Sequence, residues 1–177
     1  MKTIYECSQS KGVKWFTIIF FCVIFAAILL EIIFVNRAGE HSRETMILSV
    51  ALTVLLGVIP VSCFLVFPQY IIADDEGIGI RTLARTIRIP YENIDHIERL
   101  GGDKSFFGAF KPVRIVGVGG IFGWVGWFRT KDIGTFRSYV RDGRKAFMVY
   151  RTKGRPIAIS VNEPEEFLPY YLKGGTK

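Results

Sequence analysis

The stretch Trp15–Val35, WFTIIFFCVIFAAILLEIIFV, and its counterpart Met46–Phe67, MILSVALTVLLGVIPVSCFLVF, decide how the rest of the chain is read. At about 1.5 Å per residue each run extends roughly 30 Å as a helix, the thickness of a hydrocarbon core, with its backbone polar groups satisfied internally. Leu, Ile, Phe and Val each favour insertion by about 0.3–0.6 kcal/mol, and the fifteen in the first run outweigh the single Glu31 near its far end, read as a headgroup-level carboxylate. Lys2, Lys11 and Lys14 precede this run as in a secretory leader, but a signal's apolar stretch spans only about 7–15 residues before a small-residue cleavage site. Here aromatic and branched residues continue through Phe34 and Val35, so the helix is expected to be retained.

Working outward, residues 1–14 read as a polar leader, 15–67 as a two-helix transmembrane hairpin and 68–177 as one small domain with its own core. In the second run Ser49, Thr53 and Gly57 recur every four residues, a small-residue stripe that lets another helix approach; Cys22 and Ala26 offer a matching stripe. That stripe serves either the hairpin or a dimer. Pro60 is expected to kink the helix. Lys2, Lys11, Lys14, Arg81 and Arg85 flank the outer ends, against Arg37 and Arg43 in the connection, which favours both termini and the C-terminal domain in the cytoplasm of a cell-membrane protein.

After Phe67 the continuous apolar pattern gives way to alternation, the mark of half-buried strands. Strands are expected at 70–73, 78–82, 86–89, 94–100, 135–141, 145–151 and 156–160. Asp142-Gly143 has the composition of a type I′ hairpin turn, and consecutive hairpins imply a meander. Asn162 with Glu165 three residues on resembles a capping box opening a short helix, with Phe167, Tyr170 and Tyr171 on one face and Pro169 limiting it.

The net charge is +7; of 23 basic and 16 acidic residues, 18 and 12 follow Phe67. Cys7, Cys22 and Cys63 form neither a disulfide framework nor a metal-ligand spacing. Zinc-protease, Gly-x-Ser-x-Gly and phosphate-loop patterns are missing, His41 and His96 stand alone, and no cofactor or metal is expected. The glycines at 117, 119, 120, 123 and 126 read as bulges and strand bends. The uncharged stretch 115–128, with Phe122, Trp124, Trp127 and Phe128 bracketed by Arg114, Arg129 and Lys131, has the composition of a membrane-interface anchor. Arg137, Arg141, Arg144, Lys145 and Arg151 crowd the late hairpins, either as a solvated sheet face or as a basic face for anionic lipid or an acidic partner; no nucleic-acid module accompanies them.

The run Ile89-Pro90-Tyr91-Glu92-Asn93-Ile94 after Gly77-Ile78-Gly79-Ile80-Arg81, the stretch Gly120–Gly126, Gly134-Thr135-Phe136 and Ser160–Phe167 together resemble bacterial pleckstrin-homology (PH)-like domains, in members anchored by two N-terminal transmembrane helices. The resemblance covers roughly Tyr70–Leu172. It implies an all-β barrel of two antiparallel sheets closed by a C-terminal helix, and a binding or assembly module without an active site. Phosphoinositide-binding PH domains grip phosphates with a basic first hairpin loop; here that loop is Asp74-Asp75-Glu76, which repels a phosphate. The expected function is therefore a non-enzymatic module at the bilayer surface, its partners other membrane proteins or a second copy. A lipid-modifying enzyme and an accessory subunit of another membrane protein are the alternatives.

Overall fold

The computed structural model describes residues 3–37, 43–100 and 112–167. Both apolar runs are helical: α1 covers Lys11–Arg37 and α2 covers Arg43–Val66, each running past its apolar stretch into charged flanks. Only 6 % of the most apolar window of either helix is buried inside the molecule, so neither is a buried core helix of it. The less exposed positions, Val13, Thr17, Phe20, Ile24, Ile28 and Glu31 on α1 and Ser49, Thr53, Leu56, Pro60 and Cys63 on α2, recur at helical spacing and face one another. Thr53 Oγ1 donates to Glu31 Oε2 at 3.0 Å across the pair. Cys22 and Ala26, the stripe expected on α1, are instead exposed. The face is set by contacts at its two ends, Thr17 and Glu31, which share a side with Phe20, Ile24 and Ile28.

Strands β1 (Thr3–Glu6), β2 (Pro68–Ala73), β3 (Gly77–Thr82) and β4 (Thr86–Pro90) form an antiparallel sheet in that order. β1 arises from residues read above as a polar leader. It pairs with β2 from Thr3↔Ala73 to Glu6↔Tyr70, so the helical hairpin is inserted between two hydrogen-bonded neighbours of one sheet. The link is reinforced beyond the ladder: the Asn162 amide donates to Glu6 O at 3.0 Å, and the Ser8 amide and hydroxyl both donate to Asn162 Oδ1, at 2.7 and 2.5 Å. Asn162 thus ties down the N-terminal segment rather than capping a helix, and among the described residues one helical turn, 164–167, follows. Tyr170 and Tyr171 lie outside the described residues.

The second sheet contains β5 (Ile94–Arg99), β6 (Val113–Gly119), β7 (Trp124–Thr130), β8 (Gly134–Val140), β9 (Ala146–Arg151) and β10 (Ile157–Ser160), in the order β5-β9-β10-β8-β7-β6. The expected meander is therefore wrong after β8. β10 enters between β9 and β8, antiparallel to the first and parallel to the second. The cause lies at Asp142, whose backbone is extended and whose carboxylate accepts from the Arg144 amide, capping a 3₁₀ turn at Gly143–Lys145 instead of closing a hairpin. Gly154, with φ +103°, does turn the chain between β9 and β10. The stretch with the composition of a membrane-interface anchor is the hairpin β6–β7. Its glycines hid the strand pattern, and the sheet needs them: a Cβ on Gly126 would stand 2.2 Å from Val116 O, and Gly117 is its cross-strand partner.

No described strand belongs to both sheets, so the expected closed barrel is an open two-sheet stack. Its inner core joins Ile71, Ile78, Ile80 and Ile89 of the first sheet to Tyr139, Phe147, Val149 and Ile159 of the second, with Phe67 and Phe167 at its ends. A smaller cluster, Phe128, Phe136, Val140 and Met148, occupies the opposite face of the six-stranded sheet.

Tyr5 shows how far β1 belongs to this core: it is 4 % exposed and packs edge-on against Phe167, ring centroids 5.4 Å apart. Tyr5→Ala is expected to destabilise the protein by about 3–5 kcal/mol, as aromatic-to-alanine changes in cores do. Thermal unfolding in detergent measures this; an unchanged transition would show that β1 is dispensable.

Candidate functional site: the junction of helices and sheets

Two turns, one from each sheet, meet the outer ends of the helical hairpin. From the first sheet, the turn between β3 and β4 brings the Ala84 amide to Leu65 O at the end of α2, at 3.1 Å. From the second, the turn between β6 and β7 carries Phe122, whose ring lies 5.9 Å from Phe21 on α1, 5.5 Å from Phe64 on α2 and 5.6 Å from Phe67. The Phe122 amide donates to Thr17 Oγ1 at 3.1 Å, and that hydroxyl donates in turn to Val13 O at 2.8 Å, so the buried Thr17 is satisfied in both roles.

Phe122 pays for this position with its backbone. Its φ is +60°, the left-handed region, which costs a residue with a Cβ roughly 1–2 kcal/mol. Strain of this kind persists only where surroundings over-determine it, and three aromatic partners at about 0.5–1.5 kcal/mol each are enough. Neighbouring glycines make the turn possible. Gly120 (φ +103°) lies against Phe16, and a Cβ on Gly123 (φ +133°) would meet Val140 O at 2.5 Å.

Arg141 stands behind this turn. Its Nη1 donates to Pro68 O at 3.3 Å and Gln69 Oε1 at 3.2 Å, joining the end of β8 to the residues where α2 becomes β2. Burial lowers its pKa, a shift that the nearby Cys7 opposes. The Cys7 thiol donates to Ser160 O at 3.0 Å, and burial pushes it up to about 12 against the cation's pull. A thiol so held is neutral at physiological pH and a poor nucleophile.

The expected site residues divide among several places. Of the interface candidates, Phe122 caps the helices, Trp124 and Phe128 pack in the outer cluster, and Trp127 lies beneath the guanidinium groups of Arg137 and Arg155, at 5.6 and 5.2 Å. Arg114 lines a shallow pocket with Trp124 and Phe128, while Arg129 and Lys131 are exposed. The basic candidates each have a local contact: Arg137 also covers Tyr139, Arg144 meets Asp142, Lys145 Nζ donates to Asn162 O at 2.7 Å and Arg151 Nε donates to Arg155 O at 2.7 Å. Thr53 holds Glu31, Gly57 lines the cleft between the helices, and Ser49 lies on the same face. In the acidic turn, Asp74 Oδ1 accepts from the Glu76 and Gly77 amides while Arg88 bridges Asp74 and Glu76 at 2.8 and 2.7 Å. His96 stacks on Tyr150 at 4.2 Å; Tyr150 donates to Glu98, and burial together with that carboxylate pushes it up to about 12. His41 lies outside the described residues. Sequence reasoning missed Thr17, Cys7 and Arg141's bridging role, because each acts across more than 70 positions of chain or on a face no periodicity reveals.

Phe122→Ala is expected to loosen the junction by about 2–4 kcal/mol, seen as faster hydrogen exchange of the 120–123 amides with the sheets' amides unchanged. Cys7 is expected to resist alkylation at pH 8 in the folded chain. Its folded pKa lies above its ordinary value of 9.0, so the stabilisation is full below pH 9 and is lost as pH rises toward 12. Rapid modification at pH 8, read by mass spectrometry, contradicts the buried thiol.

The profile of one family, described as the bacterial PH domain, matches residues 69–173. No curated protein and no solved structure matches the chain. The match spans more than half of the 177 residues and takes in nine of the ten described strands, β2 to β10, in whole or nearly so, which places this chain in the bacterial PH domain family.

Proposed function

We propose that α1 and α2 span a bilayer and that the chain presents its PH domain at the membrane surface as a non-enzymatic binding or assembly module. The observation that carries this reading is the insertion of the helical hairpin between β1 and β2, with Phe122 docked across the helix ends. A domain anchored through a flexible tether samples many orientations; this one is held at two turns and one sheet. Removing α1 as a cleaved leader would also remove β1, so the ladder supports a retained helix. Lys11, Lys14 and Arg85 all lie at the domain-side ends of the hairpin, which supports a cytoplasmic domain by the positive-inside bias.

The surface best suited to a protein partner is the outer edge of β6, which among the described residues pairs only with β7. Val113, Ile115 and Val116 are 69 %, 51 % and 64 % exposed there. An edge with unpaired backbone groups and branched apolar side chains is a template for a further strand, from another membrane protein or from a second copy. The non-catalytic reading rests on dispersal: among the described residues outside α1 and α2, the shifted groups fall into three sets with separate causes, Cys7 with Arg141, Tyr150 beside Glu98 and Glu166 beside Glu163, and the cleft between the helices is lined by side chains that do not titrate.

Photoreactive benzoylphenylalanine at Val116 is expected to yield discrete crosslinked products in intact membranes, whereas the same residue at the exposed Lys153 yields none. Equal, diffuse labelling at both positions contradicts a dedicated β6 surface.

A further inference from the structure

Between α1 and α2, below Phe122, lies a cleft of about 460 Å³ whose lining includes Phe21, Ile28, Gly57, Pro60 and Phe64. It is apolar throughout and partly open at the side. Pro60 and Gly57 help to form it: the proline ring replaces a backbone donor inside α2, and a Cβ on Gly57 would meet nothing within 4 Å. The Glu31–Thr53 hydrogen bond lies one helical turn beyond Ile28 and marks the far end. Resting on the reading that these helices cross a bilayer, the medium around the cleft is hydrocarbon, and a void there forfeits the dispersion contacts of its walls. Hydrophobicity alone selects no occupant, because lipid tails are as apolar as leucine. Charge does. Lys14 is exposed and precedes Phe21 by seven residues and Ile28 by fourteen, so it stands on the same helical face about 10 Å above Phe21, at headgroup level.

We propose that this cleft is a lipid site: one acyl chain of an anionic phospholipid lies between the helices beneath Phe122, and the Lys14 ammonium meets its phosphate. A bound lipid of this kind would buttress the strained turn from the bilayer side, making the pose of the PH domain depend on lipid composition.

Native mass spectrometry of the full chain, released from nanodiscs of equal phosphatidylglycerol and phosphatidylcholine, tests this. One phosphatidylglycerol is expected to persist after bulk lipid is stripped. Gly57→Leu, whose side chain enters open space, should remove that adduct; Lys14→Gln should keep a lipid but lower the preference for phosphatidylglycerol roughly fivefold, the factor that about 1 kcal/mol per basic residue at a bilayer surface supplies. An adduct unaffected by Gly57→Leu, or no adduct at all, overturns the site, as does a dimer that this substitution dissolves, since a second copy's helix then fills the cleft. Alkaline carbonate washing of the source membranes separates the two readings: a chain that stays embedded without an adduct refutes the lipid site alone, and a chain that washes off refutes the membrane spans.

Discussion

The ladder between β1 and β2 closes the helical hairpin, and most of the architecture depends on it. Four residue pairs, Thr3↔Ala73 to Glu6↔Tyr70, bring together segments separated by some 60 residues of helix and connection. Because both outer ends of the hairpin enter one sheet, they must lie on the same side of any membrane the helices cross. The entropy cost of closing so long a loop grows only slowly with its length, and the buried Tyr5 and the Ser8–Asn162 hydrogen bonds add to the ladder that offsets it.

Phe122 supplies the second constraint. A sheet joined to two helices only through β1 and β2 would be free to rock about Phe67, whereas a ring lodged between Phe21 and Phe64 fixes the angle from the other sheet. The unfavourable backbone at Phe122 and the glycines around it are local costs accepted for a long-range contact. Arg141 braces the same corner from behind, through Pro68 and Gln69. Helices, first sheet and second sheet therefore meet within a few residues of one another, which fixes the angle of both sheets to the helices.

Much of this was legible in the residues. The apolar runs gave both helices, since length and composition decide them without tertiary context, and alternation with turn residues located β2 to β5 and β8 to β10 to within a residue or two. The family resemblance rested on spaced short motifs and agrees with the matched segment. Three features escaped for identifiable reasons. β1 is four residues long beside a charged N-terminus and is a strand only because β2 pairs with it. β6 and β7 carry glycines at paired positions, which erases the period-two signal that the close cross-strand approach in fact requires. Asp142-Gly143 had the composition of a hairpin turn, yet the carboxylate found a nearer donor in the Arg144 amide and the chain crossed to leave room for β10. The site was less legible than the fold, because Phe122 looks like one aromatic among several until Phe21, Phe64 and Thr17 are brought beneath it.

The most direct test of the account is sidedness. Single cysteines at Ile4 on β1 and Lys153 beyond β9, both exposed, can be probed with a membrane-impermeant maleimide in intact cells and after permeabilisation, since Cys7 is buried and Cys22 and Cys63 lie within the apolar helices. The ladder predicts that both positions behave alike, protected in intact cells and labelled once the membrane is opened. Labelling of one position without the other in intact cells would place β1 and the PH domain on opposite sides and contradict the hairpin closed by the sheet.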